Sequence, residues 1–263
     1  NRQVRIPTPA TCVNRDRCEQ FLNKIWDLIT SSDIEYQNAK LIKKGIEKID
    51  PDFKKLAEWI SNKYGVTVIN ICHGLMTNQN RIRVAIAVEF RDEYLKFKED
   101  NKRCSNYNEK IQSEIAEKYI ELSAKILKLE SENKILGLYN RKRKVNPKDI
   151  FVSTSAFEPI AREEANTKIP ESRISNLISS FGLPEIWTIS RCFDSTTLFV
   201  FNKEQKSYLE DSNKLKKIED EYFNLLKEYD EFDYLKRKQF KIQLDTKQNF
   251  DENYESNWYY YYK

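Results

Sequence analysis

The sequence predicts an α+β protein with an internal duplication. Three observations carry that reading. In the stretch 81–90, Ile82, Val84, Ile86, Val88 and Phe90 alternate with Arg81, Arg83, Ala85, Ala87 and Glu89. That period of two puts one apolar row on one face of a strand. An amphipathic helix, a glycine and another strand precede the stretch, and a long helical stripe follows it. A shorter version of the same order returns about a hundred residues later.

The elements follow in chain order. Residues 1–13 hold Pro7 and Pro9 without periodicity and read as an extended arm. Asn14 or Asp16 caps a helix carrying Phe21, Leu22, Ile25, Trp26, Leu28 and Ile29. A second helix carries Tyr36, Leu41, Ile42, Ile46 and Ile49. Asp50 as cap and Pro51 at the first position restart the chain into a third, with Phe53, Leu56, Ala57, Ile60 and Tyr64 on one face. Gly65 ends it, as a C-terminal glycine does. Val66 to Cys72 reads as a strand, and 73–80 as a loop before the strand at 81–90.

From Asp92 the pattern is helical. Ile115, Tyr119, Leu122, Ile126, Leu129, Asn133 and Leu136 step by four and three, a heptad seam. A basic connector, 139–149, follows, and then a short strand at 150–152. Ile174, Leu177, Ile178 and Phe181 form the next helical face, which Gly182 ends. Strands at 186–192 and 197–201 and a helix from Lys203 complete the second round. Its seam is Leu215, Ile218, Tyr222, Leu225, Tyr229 and Phe232. The expected segments are the arm, 14–138 with the first unit, the connector, and 150–263 with the second unit, a C-terminal strand and an aromatic tail. In this reading the two hairpins share one antiparallel sheet and the long helices pair through their seams. The tail, with Phe250, Tyr254, Trp258 and Tyr259 to Tyr262, docks on the body as a closing strand or cover.

Composition narrows the function classes. The chain has 263 residues, 40% hydrophobic and 13% aromatic, which places it among folding sequences. Its 45 basic and 41 acidic side chains nearly cancel, so no global polyanion-binding field follows. Five glycines leave little material for phosphate-binding loops. Five cysteines without metal spacing read as reduced thiols of a cytoplasmic protein. No apolar run reaches membrane-spanning length.

The candidate chemistry is sparse. His73 is the sole histidine, which excludes all-His zinc sites and two-histidine mechanisms within one chain. Cys72 beside it points to the opposite strand face. Glu89 and Asp92, with Glu93, cluster at a strand end, where a metal-dependent hydrolase or nuclease keeps its carboxylates. Helix-start carboxylates also arise from the helix dipole alone. Tyr139, Arg141, Lys142, Arg143, Lys144 and Lys148, extended by Arg81 and Arg83, form the nucleic-acid candidate. The seams and the aromatic tail are candidate interaction surfaces, a homodimer through a seam included. The favoured reading is a non-catalytic protein-recognition module, either an immunity- or antitoxin-like neutraliser or an assembly subunit. It involves no cofactor, metal or membrane; its alternatives are nucleic-acid binding and hydrolysis.

Overall fold

The computed structural model describes residues 30–76, 81–101, 106–123 and 145–262. The expected arm, the first helix, the seam beyond Leu122 and the basic run 139–144 lie outside these residues. Among the described residues are ten α-helices and two three-stranded sheets. The chain divides into two compact units, one running to Ile160 and one starting at Ala161.

In the first unit, α1 is Ile34–Lys43 and α2 is Pro51–Tyr64. The Asp50 carboxylate accepts the Asp52 N–H at 2.9 Å, Pro51 follows, and Gly65 closes α2 at φ +61°. That left-handed residue is where a Cβ is costly. The strands are β1, Val68–Met76, and β2, Arg81–Val88, an antiparallel pair. β1 runs through His73 to Met76, four residues into the expected loop. Its pairing with the period-two row of β2 overrides the turn signal of Gly74. After α3, Arg91–Leu95, and α4, Glu109–Leu122, the chain adds β3, Ile150–Ala156, parallel to β2. Ile82, Val84, Ile86 and Val88 are buried with Phe53, Leu56 and Ile60 of α2 and Ile115 and Tyr119 of α4.

Helix α5, Phe157–Lys168, follows β3 directly, and the division between units falls within it. The second unit continues with α6, Glu171–Ser180, and Gly182 at φ +61°. The pair β4, Ile186–Cys192, and β5, Ser195–Val200, is again antiparallel. Helices α7, Lys203–Asp211, and α8, Lys214–Lys227, lead to β6, Gln243–Thr246, parallel to β5. The chain ends in α9, Lys247–Tyr254, and α10, Trp258–Tyr261.

Three expectations change. The hairpins do not share one antiparallel sheet; each gains a parallel third strand, so each unit has its own mixed sheet. The strand at 150 consequently belongs with β2 of the first unit. The described seam residues lie in the core of their own unit. Ile115 and Tyr119 lie in the first core, and Ile218, Tyr222 and Leu225 in the second, with Tyr229 and Phe232 beyond the end of α8. Steps of three and four are also the stripe that an amphipathic helix lays on a sheet.

Candidate functional site

The first unit disperses the residues that suggested catalysis. His73 Nδ1 lies 3.0 Å from the Tyr119 hydroxyl, and its ring meets Phe53 edge-on at 5.1 Å. Tyr119 is fully buried, so His73 faces the core side of the sheet. The Cys72 thiol accepts from Asn70 Nδ2 at 3.3 Å. Burial pushes its pKa up, outweighing the Asn38 hydrogen bond and the Arg83 charge that favour the thiolate. Such a thiol is a poor nucleophile.

Glu89 pairs with Lys43 at 2.7 Å, on the wall of an open cleft of about 580 Å³ that Ile42, Ile49, Ala57 and Val68 also line. Asp92 is exposed in the first turn of α3. Glu93 is buried, and its carboxylate accepts the N–H groups of Thr67, Glu89 and Phe90 at 2.8, 3.1 and 3.0 Å. His73 pairs with Val84 in the sheet, and Glu89 lies five residues further along the chain. At ~3.4 Å per residue that is roughly 17 Å. The structure therefore does not bring His73, Glu89 and Asp92 to one centre. No three His, Cys, Asp or Glu side chains among the described residues are placed to hold a metal ion.

The two strand arginines point at their own unit. Arg81 Nη2 donates to the Ile150 carbonyl at 3.0 Å, and its guanidinium lies 5.6 Å from the Phe151 ring centre. Arg83 pairs with Glu35 at 2.6 Å and donates from Nε to Ser153 Oγ at 3.0 Å. Lys148 is exposed in a turn at Pro147–Asp149. Tyr139, Arg141, Lys142, Arg143 and Lys144 fall outside the described residues.

The second unit carries a shelf of aromatic rings. The β4–β5 register shifts between Ile186 and Thr188, a bulge that sets Trp187 apart from the strand alternation. Trp187 stacks on Trp258 at 5.9 Å and 10°, and Trp258 on Tyr262 at 5.9 Å and 18°. These three rings are half-buried; Phe199 and Phe250 beneath them are fully buried. Two left-handed residues, Glu255 and Ser256, turn the chain into α10, and the Asn257 side chain caps it through the Tyr259 N–H at 2.9 Å. Tyr262 then donates to Ser190 Oγ at 2.8 Å and Tyr261 to Asp245 at 2.6 Å. Burial, and after it that carboxylate, holds the Tyr261 hydroxyl well above the ordinary phenol range. The tail is thus a helical cover on the sheet, and the strand near it is β6.

The opposite face of β4 is fixed by a buried polar network. Arg191 donates from Nη1 to the carbonyls of Asn166 and Ile169 at 2.6 and 2.9 Å and pairs through Nη2 with Glu171. The Tyr222 hydroxyl donates to Asn166 Oδ1 at 2.8 Å. Asn166 Nδ2 donates to the carbonyls of Phe193 and Ser195 and to Thr196 Oγ1. Burial pushes the Tyr222 pKa up to about 12. The sequence reading missed this network. Its one legible signal is Arg191, a charge in an otherwise uncharged strand.

β4 is an edge strand, and so is β1. A two-residue turn, Phe193 and Asp194, joins β4 to β5, and Cys192 faces Ser195. Antiparallel alternation then gives Thr188 and Ser190 the bonds to β5 and turns the main-chain groups of Ile189 and Arg191 outward. In β1 the corresponding Ile71 N–H is closed by Asn70 Oδ1 at 2.9 Å. In β3 the edge is closed at Thr154 by the Tyr107 hydroxyl and at Val152 by Gln112. Thr188 stands where Asn70 does in the register of the second hairpin.

Comparison with protein-family models, curated proteins and solved structures finds no match to this chain. Among the described residues no helix is long and apolar enough to cross a membrane.

Proposed function

We propose that this protein is a non-catalytic protein-recognition module, with an immunity- or antitoxin-like neutraliser and an assembly subunit as its two forms. The observation that carries the reading is the shelf of Trp187, Trp258 and Tyr262, half-exposed and held in a fixed stack. Tryptophan and tyrosine dominate binding hot spots because they bring large area at low entropic cost. Asp245 on β6 and Asp251 and Glu252 on α9 outnumber Lys247 on these two elements beside the shelf, which favours a protein over a polyanion. The free thiol of Cys72 suits work in the cytoplasm.

The same proposal reads the two units as copies of one ancestral unit. Gly65 and Gly182 follow the helix that leads into each hairpin, and both hairpins carry a register shift near the start of their first strand. Glu93 accepts the N–H groups of Glu89 and Phe90; Gln205 accepts those of Phe201 and Asn202. Glu158 N–H bonds to the Glu89 carbonyl at 2.9 Å, and Gln248 N–H to the Phe201 carbonyl at 3.1 Å.

The test is selection of protein fragments from a displayed library on the immobilised full chain. Saturable 1:1 binding, nearly constant between 50 and 300 mM salt on the ~10 Å screening scale, is the expected result. Selection that enriches no fragment, together with steeply salt-dependent binding of a single-stranded oligonucleotide, would replace the proposal with nucleic-acid recognition.

A further inference from the structure

We infer that the open cleft of the first unit binds a free amino acid with a large apolar side chain. The recognition reading does not use this cleft, and neither depends on the other. The lining residues all lie in α1, α2, β1 and the segments joining them, with Glu89 after β2. One face of α2 makes a wall: Lys54, Glu58 and Asn62 stand four apart, as do Ala57 and Ser61. The hollow lies against small side chains on that face. Counted back from the glycine that follows each helix, Ala57 and Ser61 stand where α6 has Ile174 and Ile178. The register shift between Val68 and Asn70 sets Ile69 apart from the strand alternation, and Ile69 joins Ile42, Ile49 and Val68 in the apolar lining. At about 580 Å³ the cleft falls in the size range of small-molecule sites.

The charges of the cleft select the charges of the ligand. Lys43, Lys54, Glu58 and Glu89 line it, two of each sign. Lys43 and Glu89 neutralise each other at 2.7 Å. Lys54 and Glu58 are exposed at the mouth, one helical turn apart, and among the described residues neither side chain makes a hydrogen bond or ion pair. A ligand with one charge meets a like charge one turn from the charge that attracts it. A zwitterion meets both with the favourable sign, its carboxylate beside Lys54 and its ammonium beside Glu58. An α-amino acid carries both groups and its side chain on one carbon. Its charged end therefore stays at the wet mouth while the side chain enters the apolar lining. A large apolar side chain gains most there, because the gain grows with the apolar area removed from water.

The experiment titrates L-tryptophan, L-phenylalanine and L-leucine into the full chain and follows the backbone amides by NMR. At least one of the three is expected to shift the Ala57, Ser61 and Ile69 amides saturably, with a Kd below about 1 mM. Tryptamine and indole-3-propionate keep the ring of tryptophan and one of its charges each, and should bind at least about threefold more weakly than tryptophan, the scale of an exposed charge pair. Glu58→Gln, an exposed change that leaves the core untouched, should weaken tryptophan by a similar factor and leave indole-3-propionate equal or tighter. Ala57→Ile, which fills the hollow as α6 does, should abolish the shifts, with circular dichroism to confirm the fold. No saturable shift of these amides with any of the three amino acids would overturn the inference. Equal binding of tryptophan, tryptamine and indole-3-propionate would overturn the amino-acid assignment, and undiminished binding to a folded Ala57→Ile chain would overturn the place. None of these outcomes touches the aromatic shelf of the second unit.

Discussion

The buried network behind β4 yields the sharpest energetic prediction. Asn166 and Tyr222 are 2% and 0% exposed, and the 2.8 Å bond between them has no water to replace it if one partner is lost. Tyr222→Phe removes one hydrogen bond, worth about 1 kcal/mol net, and strands Asn166 Oδ1 in the core. The total is about 2 kcal/mol. Asn166→Leu strands the Tyr222 hydroxyl and also removes the donor shared by the Phe193 and Ser195 carbonyls, for about 3 kcal/mol. If the pair acts as one unit, the double variant costs about 3 kcal/mol, not the additive ~5, a coupling near 2 kcal/mol. The assay is urea unfolding followed by tryptophan fluorescence, since Trp187 and Trp258 both lie in this unit. A double variant that costs the full sum would refute the coupling, and with it the role of the network in fixing the face behind the edge.

The other predictions are simpler. The Tyr222 hydroxyl gives alkaline lability: an unfolded tyrosine loses its proton near 10, the folded one at about 12. Between those values the unfolded state binds fewer protons, so stability falls as pH rises through the window, by about 3 kcal/mol at ~1.36 kcal/mol per pH unit. Tyr222→Phe should flatten that limb of the pH–stability curve; an unchanged slope would show that other tyrosines carry it. Glu93→Ala strands three main-chain donors and should cost about 3 kcal/mol, whereas Glu93→Gln, which mimics Gln205, should cost about 1 kcal/mol in the same urea assay. Equal losses for the two variants would contradict the acceptor role. Gly65→Ala forces a side chain to φ +61° and should lower stability by about 1 kcal/mol in thermal melts; no change would mean that the helix end relaxes.

Much of the fold is legible in the sequence because local signals agree with tertiary structure. Asp50, Pro51 and Gly65 mark α2 at both ends, and the alternation of Ile82, Val84, Ile86 and Val88 marks β2. The helix–glycine–hairpin order appears in both units. The third strands were not assigned to their sheets, because parallel pairing of β3 with β2 and β6 with β5 spans long sequence separations that no local pattern encodes. The seams have a related limit: spacing fixes which helix face is apolar but not what lies against it. At the site, the tail's aromatic content signalled a docked cover, and α10 forms one. That Asn70, Tyr107 and Gln112 close main-chain groups at the edges of the first sheet was not legible. Those are ordinary polar residues with nothing in their neighbours to mark the job.

The most direct test of recognition through the aromatic shelf is the affinity of a selected fragment for the full chain and for its Trp258→Ala variant, by calorimetry, with circular dichroism to confirm that the fold persists. Loss of a central hot-spot ring predicts a drop of about 30-fold or more, the equivalent of roughly 2 kcal/mol. Equal affinity for the two folded chains would contradict the account.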